Sequence, residues 1–202
     1  MTLQNRVTPL GEIVALSVRG TMMGNRGGRI HDPQTRTLLK RRFASKQWIC
    51  CVLDFKGRHR PVMQRGYTEL FFLDEVTALA AGHRPCFECR RSDAIRFADA
   101  FARGNGYLER PSAPQMDAIL HAERLDGGKK RLHEMPADLP DGAMVLDGET
   151  ILARRDGIWL RWTPEGYLPA SRAPANARLV TPPSIVAALA AGYQPRWQRN
   201  ML

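Results

Sequence analysis

Two cysteines in segment 82–91, which reads Gly-His-Arg-Pro-Cys-Phe-Glu-Cys-Arg-Arg, are the residues best suited to do chemistry. Two thiolates separated by two residues can bind one metal ion, usually zinc, and nearby arginines favour the thiolate form. The pair alone supplies half of a tetrahedral site, and it is equally compatible with a redox-active pair or an inert pair under a helix. Cys86 and Cys89 are therefore the predicted metal ligands, and zinc is the predicted cofactor.

The sequence before this pair has a recognisable order of segments. Residues 48–92 combine a buried strand, a basic loop, an aromatic strand ending in Phe71-Phe72, an alanine-rich helix and the ending Ala-Gly-His-Arg-Pro-Cys-x-x-Cys-Arg. This order resembles the N-terminal zinc domain of the Ada family of alkylation-repair proteins, and its ending is similar to a small zinc module appended to some bacterial nucleases. The resemblance implies a role in DNA repair or processing and covers less than a quarter of the chain.

The resemblance also implies four cysteine ligands, one of which accepts methyl groups from DNA phosphotriesters. Two of the four belong in the loop between the strands, which here reads Lys-Gly-Arg-His-Arg-Pro over residues 56–61 and contains no cysteine. The methyl-accepting cysteine therefore has no counterpart in this loop, and His59 is its only soft ligand. The ligands that could complete the site are His59, His83, His31, and Cys50 or Cys51 from the preceding strand.

Positive charge is concentrated in the first half of the chain. The net charge is +10; residues 1–110 hold 19 basic and 10 acidic side chains, whereas residues 111–202 hold 11 and 10. Sixteen of those 19 are arginines, whose planar guanidinium suits phosphates and base edges. The segregation predicts DNA or RNA as partner; the alternative is a solvated face of a protein from a GC-rich genome. The predicted nucleic-acid or anion contacts are Arg26, Arg29, Arg58, Arg60, Arg84, Arg90 and Arg91.

A glycine-rich segment supplies a second candidate site. Residues 20–31 read Gly-Thr-Met-Met-Gly-Asn-Arg-Gly-Gly-Arg-Ile-His, and a loop with converging backbone N–H groups could bind an anion beneath Arg26 and Arg29. The spacing matches neither a P-loop nor a dinucleotide fingerprint. A turn that needs glycine for backbone reasons alone explains the segment equally well. His31, followed by Asp32, is a candidate base beside this loop.

A third candidate lies on a predicted helix, where Asp117, His121 and Arg124 share one face. An Asp–His pair four residues apart can bind metal or position a general base, although it is more often an exposed pair of small energetic value. His31, His83 and His121 are accordingly the candidate catalytic bases.

Periodicity and turn residues predict an α+β fold that holds these groups. A basic lobe over residues 1–110 contains the Ada-like strand–loop–strand–helix module, and residues 111–202 form a helix and a small antiparallel β-meander; the two may equally pack as one unit. The Asp-Gly pairs at 147–148 and 156–157 predict tight turns of the meander. The predicted strands cover 11–19, 48–55, 67–72, 143–146, 150–154 and 158–162, and the predicted helices cover 37–42, 75–81, 116–125, 185–191 and a segment beginning at residue 92.

Composition limits the classes of function. Four cysteines are too few for a disulfide scaffold, and no apolar run approaches the roughly 18 residues of a membrane span. The first residues contain no apolar stretch followed by a small-residue cleavage site, a pattern that does not favour secretion. These features predict a cytoplasmic protein with reduced thiols and no membrane partner. The leading hypothesis is a zinc-assisted nucleic-acid-binding protein in DNA repair or processing. One alternative is an enzyme of the hydrolase or nuclease class, with residues 24–29 at a phosphate and a histidine base; the other is a protein-interaction module.

Overall fold

The structure, a computed structural model, describes residues 2–58 and 61–198, so the predicted ligand His59 and the predicted contact Arg60 lie outside the described residues. Thirteen strands and four helices form within these two ranges. The strands are β1 (Gln4–Val7), β2 (Ile13–Ala15), β3 (Met22–Arg26), β4 (Trp48–Cys51), β5 (Leu70–Phe72), β6 (Arg84–Pro85), β7 (Leu125–Asp126), β8 (Lys129–Lys130), β9 (Met144–Asp147), β10 (Thr150–Arg155), β11 (Ile158–Thr163), β12 (Gly166–Pro169) and β13 (Arg178–Leu179). The helices are α1 (Glu75–Ala80), α2 (Arg91–Gly104), α3 (Ala113–Arg124) and α4 (Pro183–Ala190).

Two main sheets and these helices confirm the predicted α+β class. The first sheet has six strands in the order β2-β1-β5-β3-β4-β6, with parallel pairing of β1 with β5 and of β4 with β6. The second sheet is antiparallel, in the order β12-β11-β10-β9-β13, and β7 pairs with β8 separately. Its strands β9 to β12 follow one another as a meander. Gly148 (φ 61°) and Gly157 (φ 77°) adopt the left-handed backbone that the Asp-Gly turns require.

Helix α1 lies between the two sheets and is buried along its whole length. Asp74 caps it by accepting the backbone N–H of Thr77 at 2.9 Å. Ala78 packs in the core of the first sheet, whereas Val76 and Ala80 pack in the core of the second. The helix therefore contributes to the apolar cores of both sheets.

Residues on both sides of position 110 share a core. Phe97 and Phe101 of α2 pack with Ile185 and Leu189 of α4 and with Val145 of the second sheet. The two main sheets still fall on either side of residue 110, because the first ends at β6 and the second begins at β9. Across residues 2–58 and 61–198, every helix is too short or too polar to span a bilayer.

The loop predicted in the glycine-rich segment 20–31 is wrong over Met22–Arg26, because these residues form β3. This strand lies between β4 and β5, so the two strands of the predicted strand–loop–strand–helix module are not neighbours in the sheet. A Cβ atom on Gly24 would lie 2.1 Å from the carbonyl oxygen of Ile49 and 2.9 Å from the ring of Phe72. Gly24 is therefore required by close strand packing, and the pairing of its strand on both sides excludes an anion-binding loop there.

The predicted helix over residues 37–42 is likewise replaced by irregular chain. The Asp32 carboxylate accepts the backbone N–H groups of Gln34 and Thr35 at 2.8 and 2.9 Å, which makes a tight turn. His31 and Leu38 then pair as an isolated antiparallel bridge. The local Asp turn and this pairing outcompete a helical turn after it.

Candidate metal centre

The pairing of β4 with β6 brings a third cysteine to the predicted pair. The two strands are parallel with Cys50 opposite Pro85, and the N–H of Cys86 donates to the carbonyl oxygen of Cys50 at 3.0 Å. The next residues along each strand, Cys51 and Cys86, consequently lie side by side. A turn over Phe87 and Glu88 then returns Cys89 to the same place.

The Sγ atoms of Cys51, Cys86 and Cys89 all lie within 4.8 Å of one another. In a tetrahedral zinc site with Zn–S bonds of about 2.3 Å, sulfur atoms are about 3.8 Å apart. Cys51 and Cys86 are buried and Cys89 is half-buried. The three thiols are thus soft donors that small side-chain movements would close around a metal ion.

Hydrogen bonds favour negative charge at one thiol of this cluster, that of Cys86. The backbone N–H of Glu88 donates to Cys86 Sγ at 3.4 Å. Hydrogen bonds with Cys51 and then Cys89 hold the pKa of the Cys86 thiol well below its ordinary value, while the bond to Cys86 raises the pKa of Cys51. The cluster therefore stabilises a thiolate at Cys86, and a metal dication would displace the remaining protons.

Cys50 lies on the opposite side of the strand, as expected for adjacent strand residues. It is completely buried in the core with Leu70 and Phe72, and Arg90 Nη1 donates to its Sγ at 3.6 Å. Burial raises the pKa of the Cys50 thiol. Of the two cysteines that the sequence left open, Cys51 is the one that joins Cys86 and Cys89.

A cavity of about 240 Å³ opens directly in front of the three sulfur atoms. Its floor is the face of the first sheet that carries Met23, Ile49 and Phe71, because the alternate side chains of those strands pack into the core. At its rim an exposed salt bridge joins Arg58 to Glu88 at 2.8 Å. A metal at the cysteines would therefore face a site large enough to admit a small molecule or a single chemical group.

Comparison with known proteins does not assign this centre. The chain matches no protein-family model, no characterised protein and no solved structure. Function is therefore inferred from the chemistry of the residues themselves.

Two of the candidate histidines are buried away from the cysteines. The His83 ring packs against Trp48 and Phe72, with centroids 4.9 and 4.7 Å apart. Burial, and then the charge of Arg26, lowers the pKa of His83, which is therefore neutral. His31 is buried as well, and its Nδ1 forms a 2.6 Å hydrogen bond with the hydroxyl of Thr68. Neither histidine belongs to the cysteine cluster or lines its cavity.

His121 does not form the Asp–His pair that the helix spacing suggests. Asp117 binds Arg84, while His121 Nδ1 lies 3.2 Å from Nη2 of Arg124 and its ring meets Phe43 edge-on at 5.0 Å. Burial and the charge of Arg124 lower the pKa of His121. None of the three candidate bases faces the cysteine cavity, which separates them from the metal chemistry.

The predicted basic contacts divide into buried and exposed groups. Arg84 and Arg90 are buried; Arg84 pairs with Asp117, and Arg90 with Glu75 and Asp93, so their guanidinium groups serve packing and are not presented to a phosphate. Arg26 is buried too, whereas the exposed members of the predicted set are Arg29, Arg58 and Arg91.

Proposed function

We propose that the protein binds one zinc ion through Cys51, Cys86 and Cys89, and binds DNA or RNA through exposed basic residues of the first lobe, in DNA repair or processing. The observation that carries the nucleic-acid part is the basic segment, residues 29–46, which connects β3 to β4. It contains six basic side chains and one acidic side chain.

The cations of the basic segment are available to phosphates. Its exposed members are Arg29, Lys40, Arg41, Arg42 and Lys46. Within residues 2–58 and 61–198 no carboxylate forms a salt bridge with any of them. A run of unpaired cations on irregular chain can follow a phosphate backbone, and release of counterions then drives binding.

The zinc part rests on chemistry and on position. Three thiolates are typical zinc ligands, and the Cys86–Cys89 turn leads directly into α2. A metal there would hold β4, β6 and the turn together. The basic segment leads into β4, so the metal would also fix the position of its end. The Ada-like order of residues 48–92 supports zinc and DNA as the two binding partners of this protein. His59, one of the candidates that the sequence offers to complete the site, is a possible fourth zinc ligand.

The nucleic-acid proposal is tested by fluorescence anisotropy with single-stranded DNA, duplex DNA and RNA over a salt series. The test variant is Lys40→Gln/Arg41→Gln, and the control is Arg161→Gln/Arg172→Gln, which removes two exposed arginines of the second lobe. We expect weaker binding by the test variant, with a salt slope smaller by about 0.9 per lost phosphate contact on duplex DNA. Absence of binding at low salt, or equal loss in both variants, would contradict the proposal.

The zinc proposal is tested separately by counting zinc per chain in the purified protein. We expect one zinc, lost in Cys51→Ser and kept in Cys50→Ala, because only Cys51 belongs to the cluster. Retention of zinc by Cys51→Ser would place the metal elsewhere.

A second candidate function, a metal-dependent enzyme, is favoured by the cavity in front of the cysteines. Three protein ligands and an accessible fourth position are typical of catalytic zinc, whereas structural zinc has four protein ligands. Asn25 and Glu88 line the same cavity and could bind a substrate there.

The absorption spectrum of the cobalt-substituted protein distinguishes the two. If His59 is the fourth ligand, His59→Ala should change the cobalt spectrum and added imidazole should restore it. If the position is open, imidazole should change the spectrum of the unmodified protein, and His59→Ala should have no effect.

A further inference from the structure

A second group of chemically unusual residues surrounds Trp48, at the end of β4 away from the cysteines. The guanidinium carbons of Arg26 and Arg124 each lie 3.9 Å from the centre of the Trp48 ring system. All three side chains are at most 2% exposed. Two arginine side chains are therefore buried against one indole, where each makes a cation–π contact.

These buried cations have little negative charge to balance them. Arg26 donates to the carbonyl oxygen of Gly11 at 2.7 Å, and Arg124 donates to the carbonyl oxygens of Gly82 and Lys46 at 2.8 and 2.7 Å. Neither forms a salt bridge with a carboxylate of the described residues. Asp117, the acidic group that acts on Arg124, is bound at both oxygens by Arg84. Buried charge without a counter-ion is costly, so this arrangement favours binding of an anion.

The same residues line a cavity of about 430 Å³ between the β1–β2 and β7–β8 hairpins. We refer to it as the cationic cavity. Its basic lining residues are Arg26, Arg42, Arg124, Lys129 and Lys130. Among the described residues of the lining the single carboxylate is that of Glu12, which is exposed. The volume is within the range of ordinary small-molecule sites, and the charge selects an anion.

Hydrogen-bond donors around the cationic cavity are left without acceptors in the described chain. Trp48 Nε1 and Arg124 Nε are buried, and neither has a hydrogen-bond partner there. Burial is the main cause that lowers the pKa of Arg26 to about 9, and the charges of Arg124 and Arg42 add to it. Both observations agree with a site whose donors and charge are complementary to an oxyanion.

We propose that the cationic cavity binds a phosphate monoester, held by Arg26 and Arg124 from the buried side and by Arg42 and Lys129 at the mouth. A phosphate carries up to two charges and several acceptor oxygens, which suits a five-cation lining better than a single carboxylate does. The guanidinium groups are already fixed by backbone carbonyls, so little ordering is needed on binding. This inference does not depend on nucleic-acid binding by the basic segment.

The probe is inorganic phosphate, titrated calorimetrically into the full chain at constant ionic strength with chloride as the balancing salt. The test variant is Arg42→Gln/Lys129→Gln, because both side chains are exposed and their loss spares the buried core. The control is Arg103→Gln/Arg161→Gln, with the same change of net charge. We expect saturable binding of one phosphate, weakened about tenfold or more in the test variant and unchanged in the control.

Two oligonucleotides of the same sequence, one with a 5′-phosphate and one with a 5′-hydroxyl, separate the possible sources of the phosphate. Tighter binding of the 5′-phosphorylated strand, lost in Arg42→Gln/Lys129→Gln, would assign the cavity to a nucleic-acid end. Equal binding of both strands, with saturable inorganic phosphate binding, would assign it to a small phosphorylated molecule.

Failure of inorganic phosphate to saturate, together with no 5′-phosphate preference, would overturn the proposal, as would equal weakening in the test and control variants. If only the proposed nucleic-acid function fails, inorganic phosphate still binds.

Discussion

The guanidinium group of Arg84 and the carboxylate of Asp117 form a bidentate salt bridge that joins β6 to α3. Nε lies 2.9 Å from Oδ1, Nη2 lies 2.8 Å from Oδ2, and the side chains are 1% and 7% exposed. From the sequence, Arg84 is expected to contact nucleic acid, and Asp117 is expected to pair with His121. Their burial together makes them a structural contact between segments 33 residues apart.

Replacement of Asp117 by alanine should lower the free energy of unfolding by about 3–5 kcal/mol, because it leaves the Arg84 charge buried and unpaired. Urea denaturation monitored by circular dichroism measures the difference. The matched control is Glu88→Ala, which breaks the exposed pair with Arg58 and should cost at most about 1 kcal/mol. Equal costs for the two variants would show that the Arg84–Asp117 contact is solvated.

Local signals in the sequence were sufficient for much of the fold. Asp74 caps the start of α1, and Gly82 follows its end with a positive φ. The Asp-Gly pairs likewise mark the turns of the meander. Each of these conformations depends on only a few adjacent residues. The centre of the first sheet was not predictable in the same way. β3 reads Met-Met-Gly-Asn-Arg, a composition typical of a loop, and it becomes a strand through pairing with distant β4 and β5.

Gly24→Ala tests that explanation of β3. The added methyl group would overlap the Ile49 carbonyl oxygen, so the strands must separate, and we expect a loss of about 1–3 kcal/mol or more in unfolding free energy. Gly57→Ala is the control, because no atom of residues 2–58 and 61–198 lies within 4 Å of its added methyl, and its positive φ of 64° is what disfavours alanine there. A Gly24→Ala protein as stable as the unmodified one in urea denaturation would contradict close packing at this position.

Only the part of the candidate metal site that lies in one short segment could be predicted from the sequence. The spacing of Cys86 and Cys89 indicates a metal turn, since two residues between thiols suffice to define it. From the sequence, Cys51 is only one of several candidates for a third ligand. Its position beside Cys86 depends on how β4 pairs with β6, and β6 has only two residues, too few to be predicted from the sequence. The buried contacts of Trp48 could not be predicted from the sequence, because Arg26 and Arg124 lie in segments far from it along the chain.

Lys130 should make stability depend on pH. It donates to the carbonyl oxygen of Ala80, and burial, with the charges of Arg124 and Arg26, lowers its pKa from 10.5 to about 7. Between those values the unfolded chain binds more protons than the folded one, so this group destabilises the fold fully below about pH 7, and its cost disappears as pH rises toward 10.5.

Comparison of urea midpoints from pH 6 to pH 10 for the unmodified protein, Lys130→Met and the exposed-site control Lys129→Met tests this dependence. We expect the advantage of Lys130→Met over the unmodified protein to be largest at the acid end and to shrink as pH rises. The same pH trend in both variants would attribute the effect to general charge repulsion.

Removal of the metal should loosen one turn and leave the second sheet intact. The N–H of Glu88 donates to Cys86 Sγ and the N–H of Arg90 donates to the Cys86 carbonyl oxygen, so both amides belong to the turn that the proposed metal would hold. Chelation should speed hydrogen exchange at these two amides by about tenfold or more, because metal binding contributes folding free energy where its ligands are ordered. The internal control is the β10–β11 ladder, which belongs to the second sheet and should exchange unchanged. The change should also be absent in chelator-treated Cys51→Ser, which has no zinc to lose, and present in Cys50→Ala. Exchange that rises equally in the turn and in β10–β11 would instead mean that the chelator unfolds the whole chain, and exchange that is unaffected would remove the cysteine cluster as the metal site.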